Sequence, residues 1–186
     1  MEVPTKTGQE QTLTHDHLVH GPAEWFPDDK RIAFSGNEPG HGQRIYVQEV
    51  GESQPRAITP EGAIMARVSP DGRKVAAAVG LNYKTLIFPV DAGDPHPVPG
   101  LAPGEVPIAW SQDGLYLYCY QITELPVTVF RVEVATGKRM PWKKLEPSDP
   151  VGISSMGNIF LSADAKSYVY NVIRKLDVLY VVDNLH

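Results

Sequence analysis

Cysteine is nearly absent from this chain: Cys119 is the single one among 186 residues. One thiol makes no internal disulfide and no cysteine-based zinc site. It stands in Tyr116-Leu117-Tyr118-Cys119-Tyr120, an apolar strand-like run that predicts a buried, inert thiol rather than a nucleophile. Long hydrophobic runs are missing too. None approaches the ~18 residues needed to cross a bilayer, so no membrane insertion is expected. The amino terminus, Met1-Glu2-Val3-Pro4-Thr5-Lys6-Thr7-Gly8-Gln9-Glu10, is polar and lacks signal-peptide character. As written, the polypeptide is expected to be cytoplasmic, whatever a larger parent protein does. No basic run occurs and the net charge is −5, which argues against nucleic acid as a partner. No segment keeps a 3.6-residue hydrophobic period, so little or no helix is expected. Catalytic signatures are equally missing. There is no Gly-x-Ser-x-Gly, no Gly-rich phosphate loop, no His-Arg-Asp loop and no Asp-Phe-Gly triplet. Hydrolase and kinase domains are thus not part of this polypeptide, and no enzymatic activity is expected.

What is present is turn residues and repetition. Proline numbers 17 and glycine 16, as many short strands with many turns require. The stretch that organises the chain is Ser69-Pro70-Asp71-Gly72-Arg73-Lys74-Val75. Asp-Gly between two apolar runs predicts a tight hairpin with φ > 0 at both central residues, and Pro70 marks where the first strand stops. The stretch recurs as Trp25-Phe26-Pro27-Asp28-Asp29-Lys30, Trp110-Ser111-Gln112-Asp113-Gly114 and Leu161-Ser162-Ala163-Asp164-Ala165-Lys166. Its aspartates, Asp28, Asp71, Asp113 and Asp164, lie 43, 42 and 51 residues apart. They are expected to hold the hairpins by accepting local backbone N–H groups, not to act as acid or base.

Each repeat resolves into short strand candidates. The second gives 63–69, 73–79, 84–90 and 95–98; the first gives 24–26, 31–35, 44–50 and 56–59. The third gives 106–111, 115–121, 128–134 and 139–142. The fourth gives 159–162, 167–172 and 178–182. Four strands per ~40–45 residues is the period of a propeller blade. A single four-stranded sheet cannot bury both faces alone, so blades stack face to face around an axis. The expected fold is all-β: a β-propeller of four-stranded antiparallel blades, four repeats long. Residues 16–60 form blade 1, 61–100 blade 2, 101–145 blade 3 and 146–186 blade 4. Trp25, Val68, Trp110 and Leu161, each three residues before its aspartate, are read as inner-strand residues packing between blades.

The Ser-Pro-Asp-Gly-Arg-Lys-Val pattern, with Ile45-Tyr46-Val47 and Pro55-Arg56-Ala57-Ile58-Thr59, resembles the WD40-like PD40 repeat. That resemblance implies a propeller of the TolB type, or of the kind that precedes prolyl-oligopeptidase-like catalytic domains. The carboxyl end, Ser167-Tyr168-Val169-Tyr170 followed by Asp177-Val178-Leu179-Tyr180-Val181-Val182, resembles the last blade of propellers that follow bacterial serine/threonine kinase domains. Three hairpins depart from the repeat. Asp29 replaces glycine in the first, Gln112 replaces proline in the third, and Ala163 and Ala165 replace both in the fourth, which predicts looser turns.

Candidate ligand-binding residues are few. In Thr14-His15-Asp16-His17-Leu18-Val19-His20, a strand would put His15 and His17 on one face. No local residue completes a tetrahedral set, so no metal and no cofactor is assigned. The loop Asn37-Glu38-Pro39-Gly40-His41-Gly42-Gln43 offers Glu38 and His41 as rim contacts. Two functions from different classes remain: a non-catalytic scaffold binding a protein or peptide, and an accessory propeller gating a catalytic domain encoded elsewhere. Residues 8–15 are read as an outer strand that completes blade 4, which otherwise lacks one. That pairing gives a four-bladed monomer, an eight-bladed homodimer, or part of a longer propeller. The homodimer is preferred because four blades must tilt steeply to close.

Overall fold

The computed structural model describes residues 12–51, 54–175 and 177. Among them are fourteen strands and no helix. Blade 1 takes β1 (Val19–Trp25), β2 (Arg31–Asn37), β3 (Arg44–Glu49) and β4 (Arg56–Ala57). Blade 2 takes β5 (Ala63–Val68), β6 (Lys74–Val79), β7 (Lys84–Pro89) and β8 (His96–Pro97). Blade 3 takes β9 (Glu105–Trp110), β10 (Tyr116–Gln121), β11 (Val127–Glu133) and β12 (Arg139–Leu145). Each is an antiparallel sheet with its strands in sequence order. Blade 4 shows β13 (Ile153–Leu161) paired with β14 (Tyr168–Arg174). The expected strand over 178–182 lies outside the described residues. So do residues 8–11. Of the expected outer strand, the described part, 12–15, carries no strand. Leu13 instead lies buried beside blade 1, where its carbonyl accepts from the Gly51 N–H at 3.4 Å.

Alternation along each strand sends residues to two faces, and adjacent faces interlock. Phe26, Ala33, Ile45 and Val47 of blade 1 meet Val68, Val75, Ala77 and Phe88 of blade 2. Ala76, Ile87 and Val98 of blade 2 meet Trp110, Leu117, Cys119 and Phe130 of blade 3. Tyr118, Tyr120, Val127 and Val129 of blade 3 meet Met156 and Ile159 of blade 4. No core cluster among the described residues joins blade 4 to blade 1. The four blades form a partial ring.

The repeat's hairpin differs from the two-residue turn expected of it. Only Gly72 has φ > 0 (+66°), whereas Asp71 does not. Pro70 fixes φ near −65° and so selects a type I turn, in which the Gly72 N–H donates to the Ser69 carbonyl at 2.8 Å. Gly72 then takes the left-handed step that brings the chain back into register, and the Ser69 N–H donates to the Lys74 carbonyl. Asp71 Oδ1 accepts from Ser69 Oγ (2.6 Å) and from the Arg73 N–H (3.0 Å). Asp113 and Asp164 repeat this with Ser111 and Leu115, and with Ser162 and Lys166. Asp28, lacking the serine, takes the Lys30 and Arg31 N–H groups and the Arg31 Nε–H. The hairpins that depart from the repeat are therefore no looser in their bonding. Two of the three carry strain instead: Asp29 and Ala165 sit at φ +55° and +53° where the other hairpins have glycine.

Trp25 is the second correction. Val68 and Trp110 are buried between blades as expected, but Trp25 is 38% exposed. Register explains it. Trp25 pairs with Ile32 as Trp110 pairs with Leu117. Trp110 faces the preceding blade, and its indole N–H donates to the Arg67 carbonyl of blade 2 at 2.9 Å. Trp25 faces the same way, and among the described residues no blade precedes blade 1.

Candidate functional site

The innermost strands β1, β5, β9 and β13 line a groove at the axis of the arc. Each carries a bulge: register shifts lie between His20 and Ala23, between Ile64 and Arg67, at Pro107 to Ala109, and between Gly157 and Phe160. The position three residues before Trp25, Val68, Trp110 and Leu161 holds Pro22, Met65, Pro107 and Asn158. Proline cannot donate to a ladder, so it belongs on such an edge strand at a bulge. Met65 and Asn158 take φ +57° and +45° there. A bulge twists the strand and re-aims the residues that follow. Here those residues are Glu24, Arg67, Ala109 and Phe160.

Two hollows, of about 430 and 290 Å³, run into each other along this groove and share Ala23, Glu24, Arg67, Ile108 and Phe160 in their walls. Arg67 sits at the junction. Its Nε–H donates to the Ile108 carbonyl and its Nη1 to the Ala66 carbonyl, each at 2.6 Å. Nη1 lies 4.0 Å from Glu24 Oε2, too far for a hydrogen bond. That oxygen is buried and has no hydrogen-bond partner. Burial raises the Glu24 pKa above the ordinary carboxylate value, with Arg67 and then the Val68 N–H opposing. Burial likewise lowers Arg67, with Glu24 opposing, and raises the Tyr120 hydroxyl, with Arg67 opposing. The groove thus presents one fixed cation, one poorly satisfied carboxyl and an apolar wall. The Arg67 Cζ lies 5.8 Å from the Phe160 ring centre, and Phe160 is half exposed. Such a set is suited to a chain that has backbone amides to pair and a side chain to bury. It offers no nucleophile beside a base.

The residues singled out from the sequence are elsewhere. His15 and His17 are exposed and precede the first strand, so the shared strand face that would bring them together is not formed. Asp16 between them is the fixed residue: its Oδ1 accepts from the Leu18 N–H (2.8 Å) and lies 2.7 Å from His20 Nε2. Among the described residues, no three His, Cys, Asp or Glu side chains gather as a metal would need. Glu38 and His41 lie in the β2–β3 loop. The Glu38 carbonyl accepts from the His41 N–H. His41 Nδ1 is 3.0 Å from Glu61 Oε1, and the Gly42 N–H donates to Glu61 Oε2. These contacts hold Glu61 below the ordinary carboxylate range and pin the loop to blade 2. The groove residues were missed, yet a signal existed. Glu24 and Arg67 occupy the same repeat position, four residues before the aspartates, with opposite charge.

No family model matches the chain. Over 79 residues, 41% of this chain, it is 29% identical to an uncharacterized peptidase, YuxL, of Bacillus subtilis, of which that stretch covers 12%. Among solved structures, TolB from Acinetobacter baumannii superposes with a TM-score of 0.64 at 18% identity, over 90% of this chain and 46% of that one. The β-propeller domain of the trilobed protease from Pyrococcus furiosus superposes with a TM-score of 0.52 at 16% identity, over 88% of this chain and 52% of that one. The chain therefore spans about half the length of these structures. The likeness of its carboxyl end to kinase-linked propellers gains no support from them. With its helix-free blades, its repeated aspartate hairpins and these neighbours, the chain has the fold of a TolB-type β-propeller.

Proposed function

We propose that the chain is a non-catalytic propeller module that holds a segment of a protein or peptide in the axial groove. The observation that carries this reading is the groove junction, where Arg67 and Glu24, whose buried Oε2 has no hydrogen-bond partner, stand with the half-exposed Phe160 ring in the walls of both hollows. A peptide backbone in the groove would offer an N–H toward the Glu24 carboxyl and a further carbonyl toward the Arg67 guanidinium. Its side chain would lie on Phe160. Panning the chain against a displayed peptide library is the test. Enriched peptides should bind the chain and lose at least tenfold in affinity with Phe160→Ser, a half-exposed residue outside the core clusters. No enrichment, or binders indifferent to Phe160→Ser, would refute the groove as the site.

The peptidase similarity favours a second reading, in which the same groove passes substrate to a hydrolase domain encoded beside it. Transcript sequencing across both ends of the coding region separates the two, because a catalytic domain in the same frame supports only the second.

A further inference from the structure

The two hollows of the axial groove are walled differently. The larger, of about 430 Å³, runs from the Glu24–Arg67 junction past apolar side chains that include Val68, Ile108, Trp110 and Phe160. The smaller, of about 290 Å³, brings in hydroxyls from two blades, Ser35 of β2 and Tyr120 of β10. They stand among apolar walls supplied by Ile64, Met65 and Ile159. Ser35 is 5% exposed and Tyr120 2%. Among the described residues neither hydroxyl has a hydrogen-bond partner. Buried hydroxyls are nearly always bonded, and one left alone is costly. Both belong to the walls of one hollow, so an occupant of that hollow is what would satisfy them.

Charge narrows the occupant. Glu24 and Arg67 stand 4.0 Å apart in the same walls, and each offsets the other. A ligand carboxylate would come beside Glu24 and meet a cation that Glu24 already answers. A ligand ammonium or guanidinium would come beside Arg67 with the same deficit. Either charge is desolvated without a counter-charge of its own. A neutral polar group escapes both costs. Burial raises the Tyr120 pKa above 10.0, so its hydroxyl stays a donor throughout the neutral range. Ser35 can donate or accept. A carboxamide suits this pair, because one planar end carries both an acceptor and a donor, whereas a ligand hydroxyl brings a single atom.

We infer, on the reading that a peptide lies in the axial groove, that the segment it takes carries an asparagine or glutamine side chain filling the smaller hollow. The amide carbonyl accepts from the Tyr120 hydroxyl, the amide NH2 donates to the Ser35 oxygen, and the methylenes lie against Ile64 and Ile159. A neighbouring apolar side chain of the same segment falls on Phe160 in the larger hollow. The groove therefore selects a carboxamide beside an apolar residue.

Peptides enriched from a displayed random library on the full chain test this. Their sequences should share an asparagine or glutamine, and replacing it by the matching acid or by leucine should weaken binding at least tenfold. Tyr120→Phe should weaken the unaltered peptide to a similar degree and leave the leucine peptide unchanged, a coupling that general damage to the fold would not give. Tyr120→Phe and Ser35→Ala should each keep the parent's melting temperature, because the hydroxyls they remove have no partner in the chain. Enriched peptides that depend on Phe160 but share no carboxamide, or that bind Tyr120→Phe unchanged, would overturn the inference and leave the groove reading standing. Failure to enrich any peptide would remove both. A clear fall in the melting temperature of Tyr120→Phe would also overturn it, by revealing a partner for that hydroxyl within the chain.

Discussion

Replacing Gly137 with alanine should destabilise the protein far more than the same change at Gly40, although both glycines have nearly the same backbone. Their φ values are +75° and +83°, so an added Cβ meets the same left-handed strain at each, about 1–2 kcal/mol. The surroundings differ. At Gly40 the new carbon meets nothing within 4 Å. At Gly137 it would stand 2.5 Å from the Pro99 carbonyl oxygen and 3.0 Å from the Gly100 amide nitrogen. Both are backbone atoms of the turn that closes blade 2, so they cannot swing aside as a side chain would. Forcing the two turns apart adds the usual cost of overpacking, about 1–3 kcal/mol. With the strain offset by about 0.5–1 kcal/mol of unfolded-state freedom that glycine loses, the expected losses are about 0.5–1 kcal/mol for Gly40→Ala and about 1.5–4 kcal/mol for Gly137→Ala. In a chain of this length each kcal/mol moves Tm by roughly 2–4 °C. Urea titration followed by tryptophan emission is a suitable assay, because Trp142 of β12 lies edge-on to Tyr168 of β14 and reports on the neighbouring blade. Equal losses at the two positions would refute the packing of one blade's closing turn on the next.

The strained hairpins run the other way. Ala165→Gly should stabilise by about 0.5–1 kcal/mol, the left-handed strain it relieves less the extra freedom glycine has when unfolded; a loss in the same urea titration would count against the turn geometry. Stability should fall in acid, because Asp71, Asp113 and Asp164 are held below the ordinary range chiefly by serine hydroxyls, and Asp28 is held down to about 2 chiefly by the Lys30 N–H. A depressed carboxylate stabilises above its usual value and loses that as pH falls through its folded value, so melts at pH 2–6 should show the decline, lessened by Asp71→Ala. Glu24 has the opposite sign. Its raised pKa favours the fold below the ordinary 4.5 and loses that as pH rises through the folded value, so Glu24→Gln should flatten the high-pH side of the same curve. Burial raises the Cys119 thiol well above its usual pKa. A thiol reagent should therefore leave the native protein untouched at pH 8 and titrate one group in urea.

How much of this was legible depended on the kind of signal. Strands with clean alternation and turn residues between them could be placed to within a few residues, as Arg44–Glu49 and Tyr116–Gln121 show. Repetition gave the blades, because four copies of one hairpin cannot arise from local preference alone. The hairpin type was misread where two local rules competed: Asp71-Gly72 suggests a two-residue turn, but Pro70 fixes φ one position earlier and wins. Trp25 was misplaced for a different reason. Its repeat position is the same as that of Trp110, and what differs is the neighbour, which no property of residue 25 encodes. The groove was hidden because its residues are re-aimed by bulges, and a bulge breaks the period-two pattern by which strand faces are read. Pro22 and Pro107, each three residues before a tryptophan, were the visible trace of those bulges. Residues that obey the repeat build the blades. The groove lies where bulges interrupt the repeat.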